Sequence, residues 1–284
     1  MNVNNEMLKY LYLLQRFFMK IALLPFILLS SLMANVYYAK VEPYELRKIS
    51  SSVSGEVLFS DENMLGKKLS DKPYIIIDAK LDKEELQAIN SKLRFTQETL
   101  KSNEKILKNL EKTLELKREN YERIRALKIK SKIEKDNEYY NLITSENSFI
   151  NTQKEINNLK INIADLKLRK AQLQKSIHDK RVSAKNFVLY SLEVKPGQVV
   201  SFATPLATVA DTSKALLTIY LDDEDLQNLD NLTVYIDDKK TAYKVDRVVP
   251  IADAKNISKY KAQIVIKAPK IFSKLVKIEL KKDK

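Results

Sequence analysis

The sequence predicts an elongated α+β protein in which a long antiparallel α-helical coiled-coil hairpin is inserted into a small, split β unit. Three observations carry that prediction. Apolar residues keep a 3,4 spacing through two stretches between Leu86 and Ile177, no proline or glycine occurs between Pro73 and Pro196, and valine-rich segments with turn signals flank the helical region on both sides.

Composition agrees with extended helical structure. Of 284 residues, 31% are charged and only three are glycine, unusual for one compact domain. The net charge of +13 is spread through lysines that alternate with glutamates, which reads as a solvated helix surface rather than a nucleic-acid patch. With no cysteine, disulfides, thiolate metal sites and a lipid-modified N-terminal cysteine are excluded.

The first element, residues 1–34, has a signal-peptide layout. Lys9, Arg16 and Lys20 precede an apolar run from Ile21 to Met33, and small Ala34 follows as a cleavage position. The alternative is a retained anchor, because no charge occurs from Ile21 to Ala39 and nineteen helical residues nearly span a bilayer core. Val36 onward (VYYAKVEPYELRKISSSVSG) reads as a β-strand.

The helical region holds two heptad registers. In the first, Leu86, Leu93, Leu100, Leu107, Leu114 and Tyr121 form one position, while Ile89, Leu110 and Ile124, with the polar Thr96, Asn103 and Lys117, form the other. In the second, Leu142, Phe149, Ile156, Ile163 and Ile177 are accompanied by Leu159, Leu166 and Leu173. Both registers lapse around Leu127–Lys132, which predicts helices near 82–128 and 132–179 folded back on each other.

The flanks complete the β unit. Val53-Ser54-Gly55-Glu56-Val57 leads through Leu65-Gly66-Lys67 to a strand at Tyr74–Ile77, and Ser183–Asp211 carries Lys195-Pro196-Gly197-Gln198, a type II turn signal between apolar strands. An antiparallel hairpin returns to its starting point, so its base can hold both segments in one sandwich while its tip projects away.

In this order the residues resemble the HlyD-like periplasmic adaptors, or membrane fusion proteins. That family splits a lipoyl-like domain around a coiled-coil hairpin, and Ser54-Gly55-Glu56-Val57 and Val194-Lys195-Pro196-Gly197-Gln198-Val199-Val200 match its two halves. The stretch LLTIYLDDEDLQNL and the segment Val245–Ala268 resemble strands of the family's β-barrel domain. The resemblance implies a barrel-forming strand at 35–52, lipoyl-like halves at 53–81 and 181–211 with Gly55, Gly66, Pro196 and Gly197 as structural turn residues, a hairpin at 82–180, and a small β-barrel with a short C-terminal tail at 212–284.

Three departures from the family pattern are visible. Asp61-Glu62-Asn63 stands where a glycine-bearing turn is usual, leaving the strand register of the first half open. The hairpin tip is a few residues shorter, with the serine-bearing stretch beginning four residues after Leu127. Little sequence follows Ile271 for a membrane-proximal domain.

What the resemblance implies about function is a non-enzymatic, periplasmic adaptor associated with the inner membrane. It would link an inner-membrane transporter of RND or ABC type to an outer-membrane channel protein for small-molecule efflux, and self-associate into a ring or tube. Arg123, Leu127 and Ser131 would be the channel-docking tip contacts. An adaptor for ABC-type protein secretion and a periplasmic coiled-coil scaffold or chaperone are the alternatives, the latter requiring no pairing between the segments around Gly55 and Gly197.

Catalytic machinery is not legible. His178, the one histidine, falls near a helix C-terminus, where a cation is comfortable. Without cysteine or a second histidine no zinc set forms, and Gly66-Lys67 lacks the rest of a phosphate-binding loop. The reading is therefore no catalytic site, no cofactor, no metal and no nucleic-acid partner.

Overall fold

A computed structural model describes residues 35–252 and 259–282. The segment 1–34, read above as a signal peptide or anchor, lies outside the described residues. The chain divides into two compact units, Lys48–Val209 and the described parts of Met1–Arg47 with Ala210–Lys284.

The first unit contains both helices. α1 spans Lys80–Ala126 and α2 spans Lys132–Asp179, each about 70 Å long at 1.5 Å per residue. The heptad registers lie where the sequence places them. Every non-exposed residue of α2 from Leu142 to Leu173 keeps the 3,4 rhythm or adjoins it, and Leu142, Ile156, Leu159, Ile163, Leu166 and Leu173 are buried. No residue of α1 is fully buried. Thr96, Asn103 and Lys117 occupy half-buried seam positions, as their register requires.

The β part of this unit is built from both flanks. β2 (Gly55–Ser60) pairs with β3 (Ile75–Ile77) and with β6 (Val199–Val200), and β3 pairs with β4 (Arg181–Val182), giving the order β4-β3-β2-β6. β5 (Val188–Leu192) pairs with β7 (Pro205–Leu221). Val57, Leu69, Tyr74, Ile75 and Ile77 from before the hairpin share one core with Leu189, Val194, Val200, Leu206 and Val209 from after it.

The Asp61-Glu62-Asn63 stretch resolves as a 3-10 turn over Glu62–Met64, with the Asp61 carboxylate accepting from the Asn63 amide. A tight turn follows, in which Gly66 takes φ +74° and the Lys67 amide donates to the Met64 carbonyl at 2.9 Å. The stretch is thus a capped turn, and the strand register left open by the sequence is an antiparallel pairing of β2 with β3 that shifts between Val57 and Phe59.

In the second unit, β1 (Val36–Ser50) turns Tyr37, Ala39 and Val41 inward with the period of two expected of a half-buried strand. β7 contributes Ala215, Leu217, Ile219 and Leu221 to the same core. After the short helix α3 (Asp223–Gln227) come β8 (Leu232–Ile236), β9 (Lys239–Lys240), β10 (Arg247–Ala252), β11 (Tyr260–Lys267) and β12 (Leu275–Lys282), in the order β10-β11-β7-β1-β12-β8-β9.

One expectation is corrected here. The C-terminal residues are not a tail: β12 lies between β1 and β8, antiparallel to both. Val276, Ile278 and Leu280 are buried, while Lys277 and Lys281 point outward and clamp Glu279 at 2.6 and 2.5 Å. Alternating lysines in this stretch give the composition of a solvated end, but the residues between them supply a core face.

Candidate functional site

The two ends of the hairpin hold the residues that the sequence singles out. At the base, the amides and carbonyls of the two β segments interlock. Gly55 pairs with Val200 and Glu56 with Val199, the Val57 amide donates to the Gln198 carbonyl at 2.8 Å, and the Gly197 amide donates to the Val57 carbonyl at 2.8 Å. The segments around Gly55 and Gly197 therefore pair directly across roughly 140 residues of intervening chain, their ends brought together by an antiparallel hairpin.

Each structural turn residue has a local reason. Gly55 lies so close to Ile77 that a Cβ would stand 2.7 Å from its Cγ2. Pro196 sets the first corner of the Lys195–Gln198 turn, Gly197 takes φ +87° at the second, and the Gln198 amide donates to the Lys195 carbonyl at 3.2 Å, the geometry of type II.

A charged latch that the sequence reading missed closes the helical base. The nearly buried Lys180 ammonium sits 3.1 Å from the Asp82 carboxylate, which also accepts from the Ser176 hydroxyl at 2.6 Å. Burial pushes the Asp82 carboxyl up, but the Ser176 and Lys180 donors, with the charge of Arg169 nearby, outweigh it and hold the group below the ordinary carboxylate range. The signal was an aspartate in the first turn of one helix and a lysine at the end of the other.

Along the helices, Arg169 bonds Glu85 at 2.6 Å, Arg118 bonds Glu146 at 2.9 Å, and the rings of Tyr121 and Tyr139 meet at a tilt of 47° with centroids 5.6 Å apart. Exposed ion pairs contribute little stability, but pairs near both ends are satisfied together in only one antiparallel alignment. His178, in the last turn of α2, lines a shallow polar cavity of about 190 Å³ with Ser50, Ser52, Asp179 and Arg181. Among the described residues no group of three or more His, Cys, Asp or Glu is placed to hold a metal ion, and no helix is long and apolar enough to cross a membrane.

At the opposite end, α1 stops where Leu127 turns extended (φ −75°, ψ 122°) and α2 starts at Lys132. Arg123 is exposed in the last turn of α1, and Leu127 closes that turn through its amide to the Ile124 carbonyl while its side chain is partly exposed. Ser131 is the N-cap of α2: its hydroxyl accepts from the Glu134 amide, and the Glu134 carboxylate accepts from the Ser131 amide at 2.9 Å, a reciprocal capping box. The Lys130 ammonium at 2.8 Å, followed by the Ser131 donors, pulls the Glu134 carboxyl down to about 2.

The tip thus brings Arg123, Leu127 and Ser131 to one end of the hairpin, with the serine hydroxyl committed to the cap. It also exposes two side chains outside both heptad registers, Ile129 at 88% and Ile133 at 73%, which the sequence reading passed over because they fall where the periodicity lapses.

No family model matches the chain, and no curated protein matches it. Solved structures do match. MacA from Actinobacillus actinomycetemcomitans aligns with a TM-score of 0.63 at 18% identity, covering 88% of this chain and 79% of that one. A MacA-MexA chimeric protein containing the Pseudomonas aeruginosa MexA α-hairpin domain aligns with a TM-score of 0.52 at 16% identity, covering 88% and 81%. The membrane fusion protein Spr0693 from Streptococcus pneumoniae R6 aligns with a TM-score of 0.52 at 12% identity, covering 88% and 100%. At these identities the likeness is one of fold.

Proposed function

The chain has the fold of the periplasmic adaptors, or membrane fusion proteins, and we propose that it works as one, linking an inner-membrane transporter to an outer-membrane channel for export of small molecules. The observation that carries this reading is the pairing of Gly55–Val57 with Gln198–Val200 around the inserted hairpin. A free coiled-coil scaffold needs no such split β unit. An adaptor does, because both ends of the hairpin must be anchored in one rigid base for its tip to be presented at a defined reach.

In this reading the protein is periplasmic and held at the inner membrane. Several copies stand around a common axis, with hairpin tips engaging the channel and the β-barrel unit facing the transporter. Arg123 and Leu127 contact the channel, the guanidinium by donating to carboxylates or carbonyls and the leucine by packing into a groove, while Ser131 fixes the loop that carries them. Energy enters through the transporter, and the adaptor itself performs no chemistry.

The test is site-specific photocrosslinking in intact cells from position 127, with the captured partner identified by mass spectrometry. The expected product is an outer-membrane channel protein. A folded, well-expressed protein that captures only itself or soluble periplasmic proteins would sink the bridging reading.

A further inference from the structure

We propose that the partner-reading surface of the tip is the Ile129 and Ile133 pair framed by Lys128 and Lys132, and that it takes an apolar groove with an acidic rim on a protein partner. The inference rests on the bridging reading and gives its outer contact a chemical identity.

The first observation is exposure without a structural reason. Ile129 and Ile133 are the most exposed apolar side chains of the tip, more open than Leu127 at 42%, and neither occupies a seam position, the seam ending at Ile124 on α1 and resuming near Glu138 on α2. With Leu127 they concentrate three exposed apolar side chains within seven residues at the end of the hairpin, and clustered apolar exposure, unlike a single exposed residue, marks an interaction surface. Ile129 lies in the loop and Ile133 in the first turn of α2, four residues apart in the chain.

The second is charge. Between Arg123 and Asp136 stand six basic residues against two acidic ones. Glu134 is taken up by Lys130 and by the Ser131 cap, and Arg125 is held by Glu122 at 3.5 Å. Lys128 and Lys132 make no ion pair among the described residues, and Lys132 stands in the first turn of α2, where the helix dipole disfavours a cation. Two lysines without an ion-pair partner among the described residues, one of them at a helix N-terminus, stand beside two exposed isoleucines and are complementary to carboxylates around an apolar floor.

An anionic membrane surface shares that charge. It is the weaker fit, because stable interfacial binding calls for a long apolar helix face, and between Leu127 and Asp136 only Leu127, Ile129 and Ile133 are apolar.

The experiment repeats the position-127 photocrosslink with the full-length chain carrying K128E/K132E or I129S/I133S, and scores channel capture, co-purification of the inner-membrane transporter and helix content by circular dichroism. Each pair of substitutions is expected to lower channel capture at least tenfold, with transporter co-purification and helix content unchanged. If both variants keep channel capture within twofold of the parent, the surface assigned here is wrong while bridging stands. If the adduct is lipid, and the purified chain sediments with phosphatidylglycerol vesicles in a manner lost in K128E/K132E, the tip reads a membrane and the proposal is overturned. If the parent captures no channel from position 127 or from other tip positions, the bridging reading falls and takes this inference with it.

Discussion

Gly55 occupies the point where the first β segment crosses the root of the hairpin, and its lack of a side chain is a matter of space. A methyl group there would meet Ile77 Cγ2 at 2.7 Å and the Asp78 carbonyl at 3.3 Å, and that backbone oxygen cannot move without disturbing the start of α1. Gly55→Ala is expected to cost about 1–3 kcal/mol, the usual range for overpacking, read as a lowered urea midpoint of the full chain. Glu134 makes a different single-residue prediction. Its carboxyl titrates at about 2 in the folded chain because Lys130 and the Ser131 donors favour its ionised form, against an ordinary value of 4.5. A depressed carboxylate contributes stability that is complete above the unfolded pKa and is lost as pH falls through the folded one. The capping contribution should therefore fade between about pH 4.5 and pH 2, and helix content measured across that window should fall less steeply in Glu134→Gln, which cannot titrate.

The hairpin is an element whose interior is shared unequally. α2 buries six residues in the seam and α1 none, so a two-helix coil this long depends on what holds its ends. At the base that is the Asp82, Ser176 and Lys180 latch. Removing Asp82 alone leaves a nearly buried ammonium without its counter-charge, so Asp82→Leu is expected to destabilise by about 3 kcal/mol. Replacing both partners, Asp82→Leu with Lys180→Met, removes the stranded charge and should recover most of that loss. A double-mutant cycle by chemical denaturation checks the sign of the coupling. Equal costs for the single and double variants would mean that Lys180 is satisfied by something other than Asp82.

At the scale of the whole molecule, the proposed role turns on reach. Deleting one heptad from each arm, seven residues from α1 and the facing seven from α2, keeps the register of the seam while withdrawing the tip by about 10 Å. The two β units should fold as before, since the sandwich core draws its residues from outside the helices and the second unit contains none of the hairpin. Transporter association should survive and export should fail. Retained export in such a variant, verified as folded by its near-ultraviolet spectrum, would remove the bridge from the mechanism.

The sequence by itself determined the long-range plan, because periodicity and punctuation are local properties of the chain. The heptads name the seam residues of both helices almost one by one, the absence of glycine and proline from Tyr74 to Lys195 marks the insertion, and Lys195-Pro196-Gly197-Gln198 dictates its own turn. Only the tertiary structure decided which of two equally plausible faces each residue serves. Ser131 reads in the sequence as an exposed tip residue, and in the fold its hydroxyl closes a capping box, a choice set by the presence of Glu134 three residues on and by where α2 begins. Leu275–Lys282 reads as a charged end until β1 and β8 arrive on either side and make its alternate residues a core face. The Asp82 and Lys180 latch joins residues nearly a hundred positions apart. Burial, and therefore the energetic meaning of a charge or an isoleucine, depends on what packs against it from elsewhere in the chain, and no local pattern records that.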